Sequence, residues 1–150
     1  MITGLITEIL SHKSPQLWTI APDATVFEAI QLMAEKDIGA ILVLQGGQLL
    51  GVISERDYAR KVALRGKSSK ETTVREIISA EPIAVTPGHT VEECMKLITT
   101  HRVRHLPVIE GGAVTGLISI GDLVNWIISA QSATISQLET YITGHYAGAD

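Results

Sequence analysis

Two short stretches of this 150-residue chain carry residue types that could do chemistry, Gly51-Val-Ile-Ser54-Glu-Arg-Asp57 and Gly116-Leu-Ile-Ser119-Ile-Gly-Asp122. In each, an apolar run ends on a Ser with an Asp three residues later, the spacing of a helix N-cap whose partner reaches back to it. A carboxylate at such a strand-to-helix corner can instead accept two hydrogen bonds from vicinal hydroxyls such as a ribose diol, charge-assisted bonds of roughly 1.5–3 kcal/mol each. The helix N-terminus beside it offers unpaired N–H groups to an anionic phosphate. Asp is shorter than the Glu of the chain's other caps and less able to fold back, which favours the ligand reading, although the two roles are compatible. The remaining reactive types point away from catalysis. Cys94, the only thiol, falls on the inner stripe of a helix, where cysteine behaves as a small core hydrophobe. His101 and His105 are four apart, but Arg102 and Arg104 between them set positive charge against a metal, and Pro107 argues against a continuing helix. Gly66-Lys67-Ser68 has the ending of a phosphate-binding loop, yet the glycine needed five residues earlier is Lys61. No G-x-G-x-x-G follows either early strand, so a dinucleotide site of that type is unsupported and no enzyme is expected.

The elements that position these corners come in two copies. At a shift of 65, Ile20 to Tyr58 matches the segment from Val85 to Leu123 at twelve of 39 positions without a gap. The identities include Pro22, Thr25, Val26 and Glu28, repeated as Pro87, Thr90, Val91 and Glu93. Thr25-Val-Phe-Glu28 and Thr90-Val-Glu-Glu93 are capping boxes that open a helix in each copy. Val26, Ile30 and Met33, answered by Val91, Met95 and Ile98, place one apolar face on a core. Apolar runs at Ala40–Leu44 and Leu49–Ile53, and at Leu106–Ile109 and Val114–Ile118, flank a Gly-Gly pair, the pattern of a tight hairpin. A second helix follows near Glu55–Leu64 and Gly121–Ser129, and a first strand precedes near Trp18–Ala21 and Ile83–Thr86. Each unit therefore reads β-α-β-β-α.

Residues 1–14 hold a lead-in helix, 15–66 the first unit, 67–79 a linker and a second lead-in helix, 80–131 the second unit, and 132–150 a C-terminal helix and tail. Leu5–Leu10 and Val74–Ile78 are the lead-ins, Arg65–Thr73 a solvated loop, and Ile135, Leu138, Tyr141 and Ile142 the stripe of the last helix. Composition bounds the rest. The chain is 45% hydrophobic and 19% charged, which is the make-up of a folded core. A net charge of −4 and few aromatics speak against nucleic acid as a partner. The longest apolar run, Ile38–Leu44, is far too short for a membrane span, which needs about 20 residues. One cysteine and an N-terminus without a basic-then-apolar signal point to the cytoplasm.

The paired Gly-hydrophobic-hydrophobic-Ser-x-x-Asp corners, with Arg104-His-Leu-Pro-Val108, resemble a tandem pair of cystathionine-beta-synthase (CBS) domains, a Bateman module, over roughly Pro15–Ser129. The stretch Ser54–Ser68 is similar to stand-alone CBS-pair proteins of bacteria and plant organelles. The resemblance implies an α+β fold of two units related by a pseudo-twofold axis and packed through their sheets. It implies no catalytic domain or catalytic cofactor, and clefts between the units that bind an adenosyl ligand, AMP, ADP, ATP, NAD(H) or S-adenosylmethionine, as a regulatory ligand. Carried over, one cleft joins Ser54, Arg56 and Asp57 to Val85, Thr86, Arg104, His105 and Leu106. The other joins Ser119 and Asp122 to Thr19, Ile20, Gly39, Ala40 and Ile41. Arg56, Arg104 and His105 become Gly121, Gly39 and Ala40 there, so counter-charge for phosphates is expected in the Asp57 cleft alone, and tighter phosphate binding with it. For Arg102 and Arg104 the plainer reading is a solvated edge strand. The resemblance further implies signalling to an effector protein and a homodimer whose four units form a disc, with Tyr58, Val62, Leu123 and Trp126–Ile128 as candidate contacts. A ligand-free scaffold, in which the Ser-x-x-Asp motifs only cap helices, is the alternative.

Overall fold

The computed structural model describes residues 4–13, 16–78 and 81–131. The first copy runs β1 (Thr19–Ile20), α2 (Val26–Lys36), β2 (Ala40–Gln45), β3 (Gln48–Ser54) and α3 (Glu55–Tyr58), which continues as a π-helical turn over Ala59–Ala63. The second runs α5 (Val91–His101), β4 (His105–Glu110), β5 (Ala113–Ser119) and a helix, α6, over residues 120–131. Before each copy stands a short helix, α1 (Ile6–His12) and α4 (Val74–Ile77).

Local chemistry sets these boundaries in the same way twice. Thr25 accepts from the Glu28 N–H at 3.1 Å, Thr90 from the Glu93 N–H at 3.0 Å, and each Glu accepts from the cap's own N–H. Asp37 and Arg102 end their helices in the left-handed conformation, both at φ 54°. The hairpins turn on Gly46-Gly47 and Gly111-Gly112, all four at positive φ, a pair of dihedrals that glycine adopts without steric cost. Even the irregularity repeats: the register shifts at Val43/Leu44 in β2 and at the equivalent Val108/Ile109 in β4.

One element departs from the repeat. β1 pairs parallel with β2, shorter than expected, whereas the segment expected as a strand near Ile83–Thr86 is reduced to a single bridge, Val85 to Val108. The reason is covalent. In the first unit the Leu42 N–H donates to the Trp18 carbonyl at 3.2 Å; its counterpart in the second is Pro107, which has no N–H to give.

The lead-in helices exchange places. Ile6 and Ile9 of α1 are buried among Val85, Val91, Cys94, Ile98, Leu106 and Ile118, the core of the second unit. Leu5 bridges Thr90, and the Ile6 N–H donates to the His89 carbonyl at 3.1 Å. Conversely, Val74 and Ile77 of α4 join Val26, Ala29, Met33, Ile41 and Ile53 in the first core. Thr73 bridges Thr25, and the Val26 N–H donates to the Thr72 carbonyl at 2.8 Å. Each helix thus completes the core of the unit it does not adjoin in sequence. The linker is mostly exposed, as a solvated loop should be, but its end is fastened: the Thr72 side chain is buried and donates to the Ser68 carbonyl at 2.7 Å.

Two of the expected contact residues between copies are corrected here. Val62 and Leu123 are wholly buried in the cores of their own units, since they lie on the inward faces of their helices. Tyr58 and Trp126 are partly buried against those cores, leaving Ile128, 55% exposed, and the nearby Val124 on the outer face. The expected helix over 132–150 lies outside the described residues.

Candidate functional site

Both Ser-x-x-Asp corners form complete capping boxes. The Ser54 N–H donates to Asp57 Oδ2 at 2.9 Å and the Asp57 N–H to Ser54 Oγ at 3.2 Å. At the second corner the matching bonds are 2.8 and 3.0 Å. The expectation that Asp, being shorter than Glu, is less able to fold back onto the cap is corrected, since it closes the box at both corners. With the cap residue extended, at φ −125° and ψ 164° for Ser54, its own N–H points at the third helical residue and the shorter side chain reaches it.

A cation then meets each carboxylate, from a different direction. Asp57 Oδ1 lies 3.4 Å from Lys61 Nζ, one turn along the same helix, and Lys61 also donates to the Ile77 carbonyl at 2.8 Å. Asp122 Oδ2 lies 2.6 Å from Lys13 Nζ, which arrives from just beyond α1 and also donates to the Leu117 carbonyl at 2.7 Å. Burial works to raise the Asp122 carboxyl, but the hydrogen bonds from Lys13 and Ser119 outweigh it and hold the group below its ordinary value.

Two cavities lie between the units, and they are equivalents under the same shift of 65. The larger, 890 Å³, contains Gly39, Ala40, Ser119 and Asp122, four of the seven residues expected there, together with Lys13, Trp18 and Lys36. The smaller, 250 Å³, is lined by Gly51, Val52, Glu81, Pro82, Ile83, His101, Val103, His105 and Pro107, each the counterpart of a residue lining the larger one. His105 reaches both cavities. In the smaller it occupies the place that Ala40 leaves open in the larger, and this cavity stops short of Ser54 and Asp57.

Strand alternation explains which expected residues are not brought in. Along β2, Ala40 and Leu42 face the larger cavity while Ile41 and Val43 face the core, and His105 and Pro107 alternate with Leu106 and Val108 in β4. Ile41, Leu106 and Val85 are thus core side chains, and Thr19 and Ile20 form β1 without lining either cavity. Thr86 turns its N–H to His89 Nδ1 at 3.0 Å, while Arg104 is exposed and, like Arg56, lines neither cavity.

The expected counter-charge in the Asp57 cleft alone is also corrected. Lys13 and Lys36 both line the larger cavity, and Lys36 Nζ stands 4.5 Å from the centroid of the Trp18 ring, a cation–π contact. Sequence reasoning missed Lys13 because it lies outside the repeat and its partner is 109 residues away. Burial, and after it the Lys13 ammonium, pushes the His105 imidazole below its ordinary range against the pull of Asp122 and Asp57. The site can therefore accept hydroxyls at Asp122, hold an anion at Lys13 and Lys36, and offer apolar surface at Trp18. Cys94 stands apart from this site, in the second core, where burial, aided by Glu93, pushes its thiol up to about 11. Among the described residues no group of three or more His, Cys, Asp or Glu could hold a metal ion, and no helix is long and apolar enough to cross a membrane.

Comparison with known proteins agrees with this architecture. The family model described as CBS domain matches residues 6–64 and 74–129. The chain is 39% identical over 151 residues to the mitochondrial CBS domain-containing protein CBSX3 of Arabidopsis thaliana, covering 94% of this chain and 73% of that one. A solved structure of a protein with CBS domains from Burkholderia ambifaria superposes with a TM-score of 0.81 at 48% identity, over 85% of this chain and 96% of the other. The same fold, at a TM-score of 0.71 and 20% identity over 82% of this chain and 98% of the other, is found in the CBS domain pair of protein MJ0100, solved in complex with 5′-methylthioadenosine and S-adenosyl-L-methionine.

Proposed function

Because this chain belongs to the CBS-domain family, as a tandem pair of such domains, we propose that it is a regulatory module that binds an adenosyl ligand between its two units and signals occupancy to a partner protein. The observation that carries the reading is the 890 Å³ cavity, in which the Asp122 carboxylate, two lysines and an aromatic wall converge. That volume lies in the range of small-molecule sites, roughly 300–1,000 Å³. Asp122 takes the ribose diol, Lys13 and Lys36 serve the anionic part of AMP, ADP, ATP or NAD(H), and Trp18 covers the base. The ligand pair bound by the MJ0100 domains supports the adenosyl class at the level of the shared fold. Binding that bridges the units favours one packing of them over others, which is how occupancy reaches a partner. No catalytic step is assigned, since the one thiol is buried. A thiol kept reduced fits a cytoplasmic setting. The outward Val124 and Ile128 on α6 fit a homodimer contact, which sedimentation tests: a stable monomer at micromolar concentration removes it.

The deciding experiment is calorimetric titration of AMP, ATP, NADH and S-adenosylmethionine into protein stripped of carry-over ligand. Binding of at least one, weakened tenfold or more by Asp122→Ala, a loss of about 1.4 kcal/mol, supports the reading. Binding of none moves the assignment to a ligand-free scaffold. That second reading draws on one observation: both Asp carboxylates are already engaged, each by its Ser cap and a lysine.

A further inference from the structure

Of the two lysines that make the clefts chemically different at the carboxylate, Lys61 at Asp57 and Lys13 at Asp122, Lys13 is the one that comes from a separate element. Its counterpart under the internal shift is Ile78, so the second lead-in helix brings no cation to Asp57. The lysine beside Asp57 belongs to the same helix and is spread between a 3.4 Å ion pair and a backbone carbonyl. Lys13 instead spans two elements, tied to Asp122 at 2.6 Å and to the Leu117 carbonyl at 2.7 Å, on the wall of the larger cavity.

This arrangement has a consequence for what the cavity accepts. A ribose diol that takes both oxygens of Asp122 competes with the Lys13 ammonium at Oδ2, and a half-buried ammonium that loses its partner needs another negative charge. Of the two carboxylates among the described residues that line the cavity, Asp122 and Asp37, Lys13 pairs with Asp122 alone; Asp57 is engaged at its own corner, and the other basic side chains described there are His105 and Lys36, the latter held over Trp18. A phosphate on the incoming ligand meets the need; a neutral nucleoside does not. We propose that Lys13 is a specificity-determining residue, the internal counter-ion of Asp122 that makes the larger cavity select phosphate-bearing adenosyl ligands over neutral ones. The selection rests on the adenosyl reading of this cavity and adds the charge class of the ligand and the residue that reads it. Lys36 contributes to the field of the cavity, but its ammonium is not bonded to the carboxylate that the diol needs, so it does not set the preference.

The test is titration of AMP and of adenosine into the full chain, for the unmodified protein and for Lys13→Met, Lys13→Gln, Lys13→Arg and Lys36→Met, with thermal unfolding run on each variant. The unmodified protein prefers AMP by tenfold or more, about 1.4 kcal/mol. In Lys13→Met and Lys13→Gln the two affinities converge because AMP weakens while adenosine does not. A merely structural lysine would weaken both ligands together. Lys13→Arg keeps the preference, and Lys36→Met lowers AMP affinity while leaving a clear preference. The proposal is overturned if the AMP-to-adenosine ratio survives Lys13→Met and Lys13→Gln, if Lys36→Met abolishes it as completely, or if the unmodified protein binds adenosine as tightly as AMP. Failure of both ligands to bind the folded, unmodified protein overturns the adenosyl reading itself, and the selectivity with it.

Discussion

The Asp57 and Asp122 corners share their Ser, their Asp and the two bonds of a capping box, and they differ in what surrounds them. On the Asp57 side the cation comes from the corner's own helix, the strand lining the cavity begins with His105, and the cavity is 250 Å³ and does not reach the carboxylate. Around Asp122 the cation comes from a lead-in segment outside the repeat, the strand begins with Ala40, and the cavity is 890 Å³. A duplicated scaffold has kept its caps, hairpins and core, where a change costs stability, and has diverged at side chains facing the space between the copies. The difference in binding capacity therefore resides in a few residues, and substitution can exchange or erase it.

The largest expected effect breaks the pairing of lead-in helices with cores. Ile6→Ala and Ile77→Ala each remove a buried side chain and cost about 2–5 kcal/mol. Hydrogen exchange by mass spectrometry then shows faster exchange first in β4 and β5 for Ile6→Ala and in β2 and β3 for Ile77→Ala. The opposite assignment would mean that each helix supports the unit that follows it.

Next is the binding difference itself. Asp122→Ala weakens AMP tenfold or more, about 1.4 kcal/mol, and Asp57→Ala weakens it less in the same titration. Equal losses would show that the cavities are functionally alike despite their volumes. Stability of the caps, in contrast, is expected to be symmetric. Thr25→Ala and Thr90→Ala each cost about 1 kcal/mol in urea unfolding, because the two boxes are superimposable in their bonds. A twofold disparity would show that one copy's first helix is held chiefly by packing.

The smallest effect is a pH dependence tied to His105, which has no counterpart at Ala40. The folded state holds this imidazole below its ordinary value of 6.5, through burial and Lys13, with Arg104 adding to them and Asp122 and Asp57 opposing. Above that value both folded and unfolded chains carry it neutral. As pH falls below it the unfolded chain takes up the proton first, so stability declines toward the folded pKa. His105→Gln removes this part of the slope in unfolding measured between pH 7 and 5, and an unchanged slope would assign it to other groups.

Much of this architecture was legible from residue spacing. The capping Thr and Glu, the Gly-Gly turns and the apolar stripes are local signals, and each specified its element to within a residue or two. The first strand of the second copy was not legible as a strand, since its shortening depends on a proline in a different strand. At the site, Gly39, Ala40, Ser119 and Asp122 were found on the wall of the larger cavity, brought together as members of the repeat. Ile41 and Leu106 were not, because a segment carried over whole ignores that every second residue of a strand faces away. Lys13, Trp18 and Lys36 escaped notice because no local pattern links them; only the folded chain brings Lys13 to Asp122.

The exchanged lead-in helices bear on how such a chain could arise. A single copy with its own lead-in would leave that helix without a home core and its own core uncovered, since α1 fills the second unit and α4 the first. Two identical copies would satisfy each other by trading helices, as in a domain-swapped dimer. Joining them through residues 65–73 turns a concentration-dependent assembly into a single covalent unit, freeing each half to mutate without having to match itself. The unlike lysines at Asp57 and Asp122 are a mark of that freedom.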